Sequence, residues 1–362
     1  MPVLRQIIFL PFLKFLILSF AKINIYRALK TILSKIFIFI LLSLAAGEVR
    51  AQQSSVKMVP SGANAEKVVL SENLRMQVEF LTDTTFKGRA TGSRGAAEAA
   101  FWLARHYTDA GLVPFDGAWS RSFKVGKNVG HNLLGFLPGK RSGSKQMYVI
   151  VSAHYDSHGI IDGNLYPGAD SNASGVAAMV SLADMFNRMK RLGRSYGKNL
   201  IFAATDAKEK NSAGAEALVD DIRNGRLKDP VSGEAITMDK IHSTVVLDIL
   251  GSTLAPLHKD REDYLIMLSG GQYTFDLTRA NEGKGLGLDI ATNYYGSKSF
   301  SEMFHSRYGD QKVYAQNGLT CIVFTSGITM LTNKVTDTAD TLNYEILRKR
   351  IFLIFHWLEK IL

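Results

Sequence analysis

Met147-Tyr-Val-Ile-Val-Ser-Ala-His-Tyr-Asp156 is an apolar run that ends in an imidazole and a carboxylate. Sixteen positions after His154 stands Asp170, inside Tyr166-Pro-Gly-Ala-Asp-Ser-Asn-Ala-Ser-Gly175. An unbroken apolar run suits a strand buried on both faces. A strand that delivers His154 and Asp156 to its carboxyl end, followed by a glycine-flanked loop carrying Asp170 to a helix start, is how an α/β protein builds a metal site.

The chain around this pair repeats the pattern. Apolar runs at His131–Leu137, Leu200–Thr205, Thr244–Ile249, Tyr264–Leu268 and Leu319–Phe324 read as strands. Helical spacing predicts helices at Ser71–Leu81 and Gly95–Ala110, the second stopped by Gly111, with Phe86–Ser93 a loop between them. Val176, Met179, Val180, Ala183 and Phe186 form an apolar stripe, and Ile346–Leu362 closes the chain as an amphipathic helix. Helix, hairpin, then alternating strand and helix implies an α/β fold with a mixed, mainly parallel central sheet sandwiched by helices. No internal repeat divides residues 66–362, which are expected to form one domain.

The N-terminus is set apart. Arg27, Lys30 and Lys35 precede the apolar run Ile36–Leu42, and Val49-Arg50-Ala51 supplies a cleavage signal, so residues 1–51 read as a secretory leader. The alternative is a leader that stays uncleaved and anchors the protein at the envelope. The earlier stretch Ile7–Phe20, broken by Pro11 and Lys14, is a poor single span. Residues 52–65 are polar and read as a tether. The expected location is therefore periplasmic or extracellular, with no stable membrane span once the leader is removed.

The leader also accounts for most of the charge. The 362-residue chain is formally +10, but residues 1–51 hold seven Lys/Arg and one Glu; without them 36 basic and 32 acidic residues leave +4. Nothing in that balance argues for a nucleic-acid partner. Cys321 is the single cysteine, in an apolar run, which excludes an intramolecular disulfide and predicts a buried strand thiol.

Polar residues recur where apolar runs stop: His154 with Asp156, Asp206-Ala-Lys-Glu209, Asp248 within Val246-Leu-Asp-Ile-Leu-Gly251, and Ser326-Gly327 after Phe324. Ligands of open α/β sheets gather outside the carboxyl ends of the strands, so these groups can converge although far apart in sequence. Ala153–Asp156, Gly168–Gly175, Lys208-Glu209, Leu247–Gly251, Phe324–Gly327 and Asp337-Thr338, taken in order, resemble the co-catalytic zinc aminopeptidases of metallopeptidase family 28. That family also includes glutaminyl-cyclase-like and receptor-type members without peptidase activity.

The resemblance implies a zinc held by His154 and Asp248, with Asp170 bridging to a second zinc bound by Glu209. Asp156 would stand behind His154 and fix its tautomer. Zinc lowers the pKa of a bound water and polarises the substrate carbonyl. Two departures qualify this. Lys208 occupies the position of the family's general-base glutamate, and Asn333 the position of a second-zinc histidine; an aspartate-histidine pair upstream is represented by Asp310-Gln311. One zinc is thus expected before two, with Lys208 or Lys210 supplying positive charge near Glu209.

Plainer roles stand beside these. His154 could be a strand-end histidine bonded to Asp156, Asp170 a helix-start charge, and Glu209 a partner of Lys208 or Lys210. Asp248 after Val245-Val-Leu needs a partner to be there at all. Tyr294 and Tyr295 suit packing or oxyanion stabilisation. No spacing ties His158, His242, His258 or His305 to the set, and His305 is the candidate replacement for the missing imidazole. Two functions remain open: an exported zinc-dependent hydrolase removing N-terminal residues from peptides, and a pseudopeptidase that binds peptides or partners in the same cleft.

Overall fold

A computed structural model describes residues 61–140, 145–268 and 271–362, together with Lys30. Residues Val59–Leu362 form one compact unit. The leader, 1–51, and residues 52–60 of the expected tether lie outside the described residues, apart from Lys30. The packed chain begins before residue 66: α1 (Ala63–Glu66) buries Ala65.

Nine strands among the described residues form one sheet. They are β1 (Val113–Pro114), β2 (Ser120–Val125), β3 (Asn128–Leu137), β4 (Tyr148–His154), β7 (Asn199–Thr205), β8 (Ile241–Leu247), β9 (Tyr264–Leu268), β10 (Asp289–Ala291) and β11 (Cys321–Thr325). The hairpin β5 (Gly159–Ile161) and β6 (Asn164–Tyr166) stands apart. The order is β1-β3-β7-β4-β8-β11-β9-β10, with β2 on β3. The heart of the sheet, β7-β4-β8-β11, is parallel, and antiparallel pairs flank it on both sides. This is the mixed sheet that the sequence implies.

Every residue of β4, β7, β9 and β11 is buried, because helices cover both faces. Residue parity assigns each side chain to a face. Val149, Val151, Leu200, Phe202, Val245 and Phe324 meet α2 (Ser71–Thr82), α3 (Arg94–Asp109), α4 (Gly175–Arg191), α6 (Thr274–Gly283) and α9 (Tyr344–Ile361). Ile150, Ile201, Val246 and Val323 meet α5 (Ala213–Arg223), α7 (Lys298–Arg307) and α8 (Gly309–Gln316). Ser93 caps α3 through the Ala96 N–H, and Asn343 caps α9 through the Ile346 N–H. Cys321 is free and buried, and burial pushes its thiol up to about 12. No helix among the described residues is long and apolar enough to cross a membrane.

Candidate active site

Four parallel strands ending on one edge bring the predicted residues together. His154 closes β4; Asp170 lies in an irregular helical turn, Ala169–Ser174, leading into α4; Lys208 and Glu209 open a 3-10 turn after β7; Asp248 follows β8. Asn333 comes from the loop after β11 and has a left-handed backbone, φ 58°.

Buried hydrogen bonds build one part of this edge. The Asp156 carboxylate accepts the Lys208 N–H at 3.0 Å and the Glu209 N–H at 3.1 Å, so it pins the turn that carries both side chains. Its Oδ1 lies 3.4 Å from His154 Nδ1, beside the Asp156 carbonyl at 3.1 Å. Asp170 Oδ1 accepts the Gly251 N–H at 2.7 Å and the Ser174 hydroxyl at 3.0 Å. Asp337 in turn accepts the N–H groups of Asp170 at 2.7 Å and Ser171 at 3.0 Å. Burial and the Asp337 charge push Asp170 up to about 7.

His154 and Asp248 face each other, Nε2 to Oδ1, at 3.7 Å. Burial and Lys208 work against protonation of His154, but Asp156 and Asp248 outweigh them and raise it to about 10. Asp248 moves the other way: burial opposes its charge, yet Lys208 and His154 hold it down at about 2. Zinc takes the neutral imidazole, so a metal at His154 would have to displace that proton.

Lys208 decides the character of the other part. Its ammonium lies 2.8 Å from Glu209 Oε1, with its side chain 15% exposed. Burial disfavours the charge, but Asp248, Glu209 and Asp156 raise Lys208 above the ordinary lysine range. Asn333 Oδ1 accepts the Ser171 hydroxyl at 3.0 Å. Asp310 is buried and accepts the Thr205 hydroxyl at 2.6 Å, while Gln311 beside it is fully buried. A cavity of about 300 Å³ opens here, lined by Lys208, Glu209, Asp248, Asn333, Gln311 and Arg307 among others.

His158, expected to lie apart from the set, stands beside it: Nε2 lies 3.4 Å from Glu209 Oε2. His154, Asp156 and His158 stand at alternate positions, and an extended segment puts alternate side chains on one face; that signal could have found it. His305, the expected substitute, instead bonds the Cys321 carbonyl at 3.0 Å. Tyr294 packs among Tyr295, Phe300 and Phe304 and its hydroxyl accepts the Ile328 N–H, while the Tyr295 hydroxyl donates to the Ala255 carbonyl at 2.6 Å. Lys210 lies in the same turn as Lys208, and the ion pair to Glu209 is made by Lys208.

The sequence profile of peptidase family M28 matches residues 132–357. The chain belongs to peptidase family M28. Among curated relatives, BOS complex subunit NCLN of Gallus gallus is 30% identical over 166 residues, 45% of this chain and 27% of that protein. The chain thus spans about a quarter of that relative's length. Among solved structures, the LapA aminopeptidase of Legionella pneumophila superimposes with a TM-score of 0.63 at 14% identity, covering 84% of this chain and 76% of that one. BSAP, a zinc aminopeptidase from Bacillus subtilis, gives 0.58 at 12% identity, covering 80% and 94%. At these identities the structural likeness is one of fold.

The M28 fold therefore suggests zinc, and the side chains present can be tested against it. His154 Nε2 and Asp170 Oδ2 are buried without hydrogen-bond partners, which suits a ligand. No three His, Cys, Asp or Glu side chains among the described residues converge closely enough to hold a metal ion. Glu209 Oε1 is taken by an ammonium, and an amide stands at 333. This donor set does not fit a pair of zinc ions.

Proposed function

We propose that this chain binds a peptide segment in the cleft at the carboxyl edge of its sheet and does not hydrolyse it. The observation that carries this is Lys208, an ammonium ion-paired to Glu209 at 2.8 Å in the place where the family resemblance puts a general base. A cationic amine has no lone pair to take a proton from water. General bases typically contribute roughly 10²- to 10⁴-fold in rate. The same ammonium neutralises Glu209 and Asp248, as a second metal would, but supplies no Lewis acidity. A relative whose name makes it the subunit of a complex supports a binding role. Export through the leader, residues 1–51, followed by release, completes the proposal; N-terminal sequencing of secreted protein tests it, and an intact leader removes it.

The central test is metal analysis of the purified chain together with an assay on aminoacyl amides. Substoichiometric zinc and no turnover are expected. Lys208→Glu combined with Asn333→His restores the residue types of the two-zinc centre and should raise zinc content. Two tightly held zinc ions with turnover in the unmodified protein would overturn the proposal. A second reading, a single zinc with aminopeptidase-type hydrolysis, is favoured by the unpartnered His154 Nε2 and Asp170 Oδ2. One zinc per chain together with turnover selects it.

A further inference from the structure

Gln311 is fully buried, lines the cavity, and has no hydrogen-bond partner for either its Oε1 or its Nε2 among the described residues. Its amide lies where a side chain at 309 would have to begin; Gly309, at φ +57°, leaves that space open. A buried donor and a buried acceptor on one planar group are costly to leave unmatched. Their complement is a ligand that offers an acceptor and a donor side by side, as one residue of an extended peptide does through its own N–H and C=O.

Charge selects which end of a peptide enters. Of the two carboxylates lining the cavity, Glu209 already faces Lys208 through Oε1 and His158 through Oε2, and Asp248 faces Lys208 and His154. A free α-ammonium would find both acids matched and would meet the Lys208 ammonium. Arg307 also lines the cavity and has no ion pair or hydrogen bond among the described residues, and Lys312 lines it while donating to Asn211. The unmatched charge is positive.

We infer that this cavity takes the carboxyl-terminal end of a peptide. The terminal carboxylate is drawn by Arg307 and Lys312, and the last residue pairs with Gln311, its own N–H donating to Oε1 and one of its carboxylate oxygens accepting from Nε2. Guanidinium suits carboxylate recognition because its donors form a planar fork. This inference rests on the binding role proposed for the cleft, and names its ligand.

The probe is a pool of random-sequence hexapeptides in three forms: unmodified, N-acetylated, and N-acetylated with a C-terminal amide. Each is equilibrated with the full chain, and the retained peptides are quantified by mass spectrometry. Retention of the acetylated pool should equal that of the unmodified pool, and amidation should lower it at least about tenfold, as loss of a charge-assisted contact does. Gln311→Leu and the surface change Arg307→Gln should each lower retention of the acetylated pool by a similar factor. Arg307 is exposed, so its replacement keeps the test meaningful if Gln311→Leu fails to fold. The inference is overturned if amidation has no effect, if acetylation abolishes retention, or if no pool is retained. Shortened peptides from the unmodified pool would instead count against the non-hydrolytic reading, and the acetylated pool, closed to an aminopeptidase, still reports end preference.

Discussion

The two parts of the cleft differ in how their side chains are held. Around Asp156, Asp170 and Asp337, carboxylates accept backbone N–H groups from distant segments, so each acid fastens a turn. Two buried guanidiniums extend this framework. Arg89 bonds the carbonyls of Tyr155, Pro167 and Gly168 at 2.9 Å each, and that of Leu81 as well. Arg350 bonds those of Tyr264, Leu250 and Ser252 at 2.7–2.8 Å. Around Glu209 and Asn333 the backbone turns through left-handed residues, Ala207, Asn211, Ser212 and Asn333, and side chains meet other side chains. A change in the first part endangers folding, whereas a change in the second costs less stability and mainly alters what the cleft can hold. Framework and cleft contents are thus held by different interactions, so substitutions in the one need not disturb the other.

That contrast is sharpest at Arg350. Arg350→Leu strands three buried carbonyls and removes a positive charge near Asp170, and should cost about 3–5 kcal/mol in urea unfolding. Lys208→Met leaves Glu209 and Asp248 without their cation, but beside a cavity that water can enter, so about 1–3 kcal/mol is expected by the same measurement. If Lys208→Met cost as much as Arg350→Leu, the contrast between framework and contents would collapse.

A carboxylate outside the cleft gives a reference. Asp184, on α4, is pushed up to about 6 by burial and by Asp109. The native state therefore holds a proton that the unfolded chain has released between about pH 4 and pH 6. This contribution to stability is complete below the unfolded pKa and is lost as pH rises through about 6. Asp184→Asn should flatten that part of the stability profile, gaining about 1–2 kcal/mol at pH 7 relative to the parent, as urea titrations at pH 4 and pH 7 would reveal. Asn333→His alone, on a loop, should move stability by less than about 0.5 kcal/mol in thermal unfolding. A larger loss there would mean that the Ser171 contact is part of the framework after all.

Much of this was legible along the chain. The apolar runs located β3, β4, β7, β8, β9 and β11, because strands buried on both faces carry an unbroken signal. β2, Ser120–Val125, gave none: it lies off the main strand order, paired to β3, with alternating exposed and half-buried residues. β1 and β10, of two and three residues, are too short for any period to register. In the cleft, His154, Asp156, Asp170, Asp248 and the Lys208-Glu209 pair were readable because each follows a strand or opens a helix. His158 was not tied to the set, and Gln311 was read only as standing for a histidine, since their surroundings come from segments far away in sequence.

Sequence alone determined the fold, the residues at the sheet's carboxyl edge, and the replacement of an acid by Lys208. The first two follow from local alternation between apolar runs and polar ends, and the third from the ordered motifs that resemble the family; neither needs coordinates. Tertiary structure alone decided whether imidazole and carboxylates from segments up to 94 positions apart close around one point, and where the Lys208 charge goes. Coordination and ion pairing fall away over an ångström or two, a precision that no sequence interval carries but that packed strands and fixed turns impose.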